Sequence, residues 1–273
     1  MSYADIFEAV KTGTVEDVKF FIEKKGINVK IKDDRPDNPG WAPLHHAAKD
    51  NSNVEVLKYL VSQGADVNAK NNADKTPLHI AAQGNTNVEV FKYLISQGAN
   101  VNARDNDGNT SLHYVAGLNH NVEVLKYLVS QGTNINARNN GGFTPLYMAV
   151  NRDNVKAAQL LISTGADVNL KSNDGFTPLF IAVTKNNVEA VQILISAGAD
   201  VNERINDGNI PLLSNAVAFG NANIDIVKLL VSAGADVNAK DDNGLTPLDM
   251  ANPDNHAIIE YLSSMGAKRR RDM

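Results

Sequence analysis

The stretch TPLHIAAQGNTNVEVFKYLISQGANVN, Thr76 to Asn102, is repeated with small changes along nearly the whole chain, and that recurrence governs every other reading of the sequence. Its nearest copies are APLHHAAKDNSNVEVLKYLVSQGADVN from Ala42 and TSLHYVAGLNHNVEVLKYLVSQGTNIN from Thr110. Shorter echoes begin at Thr144 (TPLYMAV), Thr177 (TPLFIAV), Ile210 (IPLLSNAV) and Thr246 (TPLDMA). Gly64, Gly98, Gly132, Gly165, Gly198, Gly234 and Gly266 close the copies at spacings of 34, 34, 33, 33, 36 and 32 residues. A chain built this way folds as an array of like units.

Within one unit the local physics is readable. Thr76 is placed to offer its hydroxyl to the free backbone N–H groups of a first turn, and Pro77 sits at the first helical position, where a missing donor costs nothing. Leu78, Ile80, Ala81 and Ala82 predict a short helix with small residues that neighbouring helices can approach closely. Asn87 caps a second helix with Glu89 in its first turn, and Val88, Val90, Phe91, Leu94 and Ile95 recur at helical spacing on one face. Gly98 stops that helix by supplying a left-handed residue. Ala99, Val101 and Ala103 then alternate with polar residues, and Asp107-Gly108 is a hairpin-turn dipeptide, so a finger follows. Two helices of about ten residues cannot bury an apolar face alone, so each unit depends on its neighbours and an elongated array is expected.

A period near 33 residues carrying TPLHxA is the signature of the ankyrin repeat, and the chain resembles that family over about 260 of its 273 residues. The resemblance implies an all-α repeat, an ankyrin-repeat solenoid of helix-turn-helix units with β-hairpin fingers, about eight units including the terminal caps. The array is read as a single continuous domain over residues 1–266, with an N-terminal cap unit at 3–26, internal units over about 42–234, a C-terminal cap unit at 245–266 and a basic tail at 267–273. The function it implies is binding of another protein.

Composition narrows the alternatives. Twenty-six basic residues stand against 31 acidic ones, a net charge of −5, which makes a general nucleic-acid binder unlike this chain. Cysteine is absent, so there is no disulfide framework, thiolate metal site or cysteine nucleophile. The first residues, MSYADIFEAVKTG, contain no apolar run of signal-peptide length, and no segment approaches the length needed to span a bilayer. A cytoplasmic, monomeric protein is therefore expected, with delivery into a host cell or the nucleus as further possibilities.

Two regions depart from the common unit near the amino terminus. Tyr3 to Gly26 lacks TPLH but keeps both helical patterns, Thr14 capping the second and Gly26 ending it, as a cap unit requires. The finger that follows is about four residues longer than its counterparts and holds Asp33, Asp34, Arg35, Asp37 and the only tryptophan, Trp41. Trp41 either packs on the adjacent finger or anchors a partner, tryptophan being enriched at binding hot spots. The three aspartates have no recognisable calcium-loop spacing.

Units five and six carry the strongest candidate site. In the resembled family the residue before TPL and those after the alanine pair line the concave side formed by fingers and inner helices. Here the first position holds Trp41, Lys75, Asn109, Phe143 and Phe176 in successive units, and the second holds Arg152 and Lys185 in units five and six. Carried over position by position, the family pattern sets Phe143 beside Phe176 with Arg152 and Lys185 deeper in the groove. Such an aromatic pair flanked by cations suits recognition of a protein; the alternative is that the phenylalanines cover the finger bases against each other.

The remaining motifs yield no chemistry. His45, His79 and His113 belong to TPLH, and in ankyrin repeats that histidine hydrogen-bonds between repeats; His46, His120 and His256 have no partner at metal-ligand spacing. No GxSxG, HExxH or phosphate-cradling glycine loop is present, so no catalytic set, metal or cofactor is expected. Lys70, Arg104, Arg138, Lys171, Arg204 and Lys240 recur on the fingers and at about 10 Å spacing would form a basic stripe, partly neutralised by Asp105, Asp174, Asp207 and Asp241. Together with Lys268 to Arg271 in the tail, that stripe supports the competing reading, a binder of nucleic acid or another acidic polymer. Unit seven lacks the threonine and the histidine and is three residues longer, so Phe219 to Ala222 are expected to protrude or be irregular. Asn68, Asn169, Asn202 and Asn238 recur in one finger setting; Leu60 with Asp66-Val67-Asn68 resembles the pattern hydroxylated in animal ankyrin repeats, and the competing expectation is that these asparagines hold their fingers by backbone hydrogen bonds. A third reading is an effector that targets or regulates a host protein.

Overall fold

The computed structural model describes residues 3–205, 209–218 and 222–272, and the chain divides into two compact units, Met1–Asn140 and Gly141–Met273. Helices come in pairs. The first unit contains Ile6–Thr12 with Val15–Lys19, Pro43–Asp50 with Val54–Ser62, Pro77–Ala82 with Val88–Ser96, and Ser111–Leu118 with Val122–Ser130. The second contains Pro145–Asn151 with Val155–Ser163, Pro178–Thr184 with Val188–Ser196, Leu212–Ala218 with Ile224–Ser232, and Pro247–Met250 with His256–Ser264. This is the all-α repeat that the periodicity predicts, with eight helix pairs among the described residues. Phe219 to Asn221 and Asp207 lie outside those residues. No helix among them is long and apolar enough to cross a membrane.

The buried positions follow the helical spacing. Leu78, Ala81, Ala82, Val90, Phe91 and Leu94 are fully shielded, and Leu44, Leu112, Leu146 and Leu179 repeat the first of these in neighbouring units. Each large side chain contributes about 1.5–3 kcal/mol when removed from water, while the alanines keep helix axes close. The closing glycines adopt the left-handed conformation, Gly98 at φ +89°, and its N–H donates to Ile95 O. In the N-terminal cap the second helix ends in a π-helical turn, Phe20–Lys24, where the sequence pattern predicts an unbroken α-helix.

Capping of the first helices differs from the expectation, and the reason lies in the histidine. In units three and four the Thr76 and Thr110 hydroxyls meet the Nδ1 atoms of His79 and His113 at 2.9 Å. That nitrogen also accepts the threonine's own backbone N–H at 3.1 Å. His79 Nε2 lies 3.0 Å from Ala103 O and 3.1 Å from Asn109 O; two carbonyls fix the proton on Nε2 and leave Nδ1 as acceptor. Where the histidine is absent, the hydroxyl caps directly: Tyr147 N–H and Phe180 N–H donate to Thr144 and Thr177 Oγ1 at 3.1 Å.

Asparagine supplies most of the polar stitching between repeats. At the finger bases Asn68 Nδ2 donates to Gly98 O and Asn100 N–H donates back to Asn68 Oδ1, both at 2.9 Å; Asn102, Asn202 and Asn238 repeat the pattern one period on. A second ladder joins the loops between paired helices, Asn85 to Ala48 O and Asn119 to Asn85 O. A third runs along the finger tips, Asn106 to Asn72 O and Asn140 to Asn106 O. Only an amide presents a donor and an acceptor on one short planar group. These asparagines therefore tie their fingers to the next repeat.

Three fingers turn around a polar side chain at the root. Asn71 Oδ1 accepts from Ala73 N and Lys75 N, and Asp105 and Asp241 do the same in their fingers. Among the described residues a paired ladder forms in the sixth finger, where β1 (Arg204–Ile205) runs antiparallel to β2 (Ile210–Pro211). The helix after it begins at Leu212, one residue later relative to its proline than in the other units.

Candidate functional site

The residues predicted to contact a partner fall into both units. In the second, Phe143 and Phe176 are half-buried and each lies over the aromatic residue four positions on: Phe143 on Tyr147 and Phe176 on Phe180, ring centroids 4.5 Å apart in both, planes inclined by 22° and 16°. The stacking is possible because Tyr147 and Phe180 stand where units two to four carry the buried histidine. Stacked pairs of this kind hold their orientation by more than burial alone. Arg152 and Lys185 are exposed and cap the C-termini of the helices Pro145–Asn151 and Pro178–Thr184, where a cation suits the helix dipole. Lys185 Nζ lies 3.0 Å from Asp153 Oδ2, a residue held at φ +55°. Asn187 also donates to Asp153, and its carboxyl is held below the usual range by that hydrogen bond and by Lys185.

In the first unit the same finger position gives a more polar face. Lys75 Nζ stands 4.9 Å from the centre of the Tyr114 ring, whose hydroxyl donates to Asp105 Oδ2. Asn109 is 9% exposed and packs its amide against that hydroxyl and Asn139. Burial and Asp105 push the Tyr114 hydroxyl pKa up, so it remains a donor. Tyr114 escaped sequence reasoning because it replaces an apolar residue of the helix, a change that looks like core variation.

Trp41 is only 8% exposed. Its ring packs 5.0 Å from His46 and 6.1 Å from His45, and its backbone pairs with Asp33 across the enlarged finger. The rest of that finger folds back on the first helix: Arg35 grips Asp33 through Nε and Nη2, reaches Glu8 at 3.2 Å and lies over Phe7. Burial opposes ionisation of Asp33, but the Arg35 hydrogen bonds outweigh it and hold the carboxyl below its usual range. His46 Nε2 approaches Asp33 Oδ2 to 2.9 Å without hydrogen-bond alignment, and burial lowers its pKa to about 4. With Arg35 and His46 against it, the Asp33 carboxylate is engaged by protein groups.

The basic stripe is partly folded onto the protein. Arg104 Nη1 donates to Arg138 O and Arg204 Nη1 to Lys240 O, each at 2.8 Å, while Lys70 pairs with Asp74. The tail is also tied down. Lys268 N–H donates to Asn238 Oδ1, Thr246 Oγ1 to Lys268 O, and Arg270 N–H to Asp249 Oδ2. Asp249 occupies the histidine position and can only accept, so the following segment presents an N–H to it where other fingers present carbonyls. No group of three or more potential metal ligands occurs among the described residues.

Comparison with known proteins agrees with this architecture. Models of ankyrin repeats match residues 6–71, 53–139 and 112–205 in one form and 184–231 and 216–262 in another. Protein phosphatase 1 regulatory subunit 27 of Homo sapiens is 38% identical over 69 residues, 25% of this chain and 41% of that protein. Alpha-latrocrustotoxin-Lt1a of Latrodectus tredecimguttatus is 38% identical over 65 residues, 24% of this chain and 4% of the toxin. The chain thus spans less than half the length of either curated relative. Among solved structures, the ankyrin repeat domain of Bcl-3, of the IkappaB protein family, superposes with a TM-score of 0.72 at 32% identity, covering 83% of this chain and all of that one. The ankyrin repeat domain of human ASB11 gives 0.70 at 25% identity over 82% and 97%. With the repeat models spanning most of the sequence and the helix pairs, fingers and histidine caps in place, the chain belongs to the ankyrin repeat family.

Proposed function

We propose that this chain is a non-catalytic binding module, residues 1–266 forming its binding region, that holds another protein against the face made by fingers and first helices. Phe143, Phe176, Arg152 and Lys185 of the second unit are its main contacts. Within the first unit, Lys75 and Asn109, with Tyr114, offer a more polar contact of their own, and Trp41 supports its finger from beneath. The observation that carries the reading is the pair of aromatic stacks one repeat apart, each with a half-buried phenylalanine outermost. Repeats two to four fold without them, and flat rings already fixed in position lose little side-chain entropy on binding. That ankyrin repeats serve generally as protein-protein interaction modules, and that relatives include a phosphatase regulatory subunit, supports the same conclusion.

The test compares the full chain with Phe143→Ala/Phe176→Ala as bait, quantifying captured proteins by mass spectrometry, with circular dichroism to establish equal folding. A specific partner retained by the wild type at raised salt and reduced at least about tenfold, roughly 1.4 kcal/mol, by the double substitution is the expected result. Equal recovery of every protein by both baits overturns the assignment. Binding that collapses steeply with salt would instead favour an acidic polymer.

A further inference from the structure

In units three and four an imidazole fills the slot behind the capping threonine, and in unit three it joins that threonine to the next finger. Unit six has Phe180 at that position, with its ring turned outward onto Phe176. The slot is instead entered from the finger by Glu203, at a position that is Ala69, Ala103, Ala137, Leu170 or Ala239 elsewhere. Glu203 is 5% exposed. Its Oε1 accepts from Thr177 Oγ1 at 2.6 Å, while Oε2 is buried with no hydrogen-bond partner. A carboxylate satisfied on one oxygen only is far costlier in such a place than its neutral acid, which leaves one uncharged group unpaired there.

Glu203 is also mechanically connected. Its carbonyl accepts the Leu212 N–H at 3.0 Å, and it directly precedes β1, which pairs with β2. The charged groups bearing on it are Lys171 of the preceding finger, which favours ionisation, and Asp200 of its own, which opposes it. Arg204 is directed away, onto Asn209 O and Lys240 O. The flanking helices Pro178–Thr184 and Leu212–Ala218 carry no ionisable side chain. Burial is the dominant influence and pushes the carboxyl pKa up to about 7, against the pull of the Thr177 hydrogen bond, Lys171 and the Phe180 N–H.

We propose that Glu203 is a proton-operated latch: protonated, it fixes the start of β1 against unit six, and ionised, it leaves the slot for water and loosens β1 and the Leu212 amide. The deprotonation transfers one proton from the carboxyl to solvent and needs no other reactant. The experiment is done on the full chain without any partner, so its outcome is independent of the binding reading above. Glu203 is followed by carbon-detected NMR of its side-chain carboxyl, and Leu212 by amide exchange corrected for intrinsic pH dependence, in the wild type and in Glu203→Gln. A carboxyl midpoint near 7 is expected, with Leu212 protection falling about tenfold between pH 6 and pH 8 and staying level in the variant. A midpoint in the ordinary carboxylate range overturns the latch. So does a Leu212 protection that is level in the wild type or falls equally in Glu203→Gln. If the variant does not fold, the two wild-type readings still decide.

Discussion

The histidine of the TPLH turn illustrates how much one side chain can hold. His79 is fully buried and joins Thr76 of its own unit to Ala103 and Asn109 of the next finger. Burial lowers its pKa, so the neutral tautomer persists at physiological pH. Removing the ring leaves two carbonyls and a backbone N–H unsatisfied, each worth about 1–3 kcal/mol when buried, partly relieved by water entering the slot. His79→Ala is accordingly expected to lower stability by about 2–4 kcal/mol, measured as a shift of the urea midpoint. A loss below about 0.5 kcal/mol would mean that the threonine hydroxyl takes over the cap, as it does at Thr144 and Thr177. The TPLH histidine was visible in the sequence from its period. Glu203 was visible too, as the one acidic residue among alanines and a leucine at its finger position, but its significance depends on Phe180 having left the slot, a relation between residues far apart in the sequence.

At the scale of elements, the asparagine ladders divide by burial. Asn85 is 7% exposed; it accepts from Asn87 N and donates to Ala48 O. Asn68 makes the same kind of bridge at an exposed finger base, where water can replace either partner. Asn85→Ala is expected to cost about 2 kcal/mol and Asn68→Ala well under 1 kcal/mol, both read from chemical denaturation. Similar losses at the two sites would show that the ladder, not its desolvation, sets the cost. Helices, stopping glycines and finger positions were legible because each follows from local periodicity or a left-handed turn. The stacking of Phe143 on Tyr147 and the packing of Trp41 on His45 and His46, instead of on the adjacent finger, were not, since both depend on side-chain direction across an element. The docking of the tail was equally hidden: its basic residues suggest a solvated end, whereas its backbone completes hydrogen bonds offered by Asn238, Thr246 and Asp249.

Over the whole molecule the two units are expected to respond to acid in opposite ways. Burial lowers the pKa of both His45 and His46 to about 4 from an ordinary 6.5. The unfolded chain therefore binds more protons between those values, and the first unit loses stability as pH falls through that window. Glu203 is raised to about 7 from 4.5, so the second unit is more stable below that window and loses stability as pH rises through it. Each group contributes at most about 3 kcal/mol. Trp41, packed on both histidines, reports the first unit alone: its urea midpoint is expected to fall between pH 7 and pH 5. Over the same interval, corrected amide protection in the helix Ile224–Ser232 is expected to rise. Movement of both signals in the same direction would refute the assignment.

The finger-base ladder has a further consequence for the length of the chain. Its donors and acceptors, Asn Nδ2 to a glycine carbonyl and an N–H back to Asn Oδ1, are the same at each rung where the bridge occurs. A segment of one full period, such as Thr76 to Asn109, begins and ends on matching partners, so Asn68 would find in Gly132 what it now finds in Gly98. Loss or gain of whole modules thus leaves no orphaned polar group behind, whereas a fractional insertion misaligns every subsequent bridge. Growth and trimming by entire copies is the form of change that this polar seam tolerates.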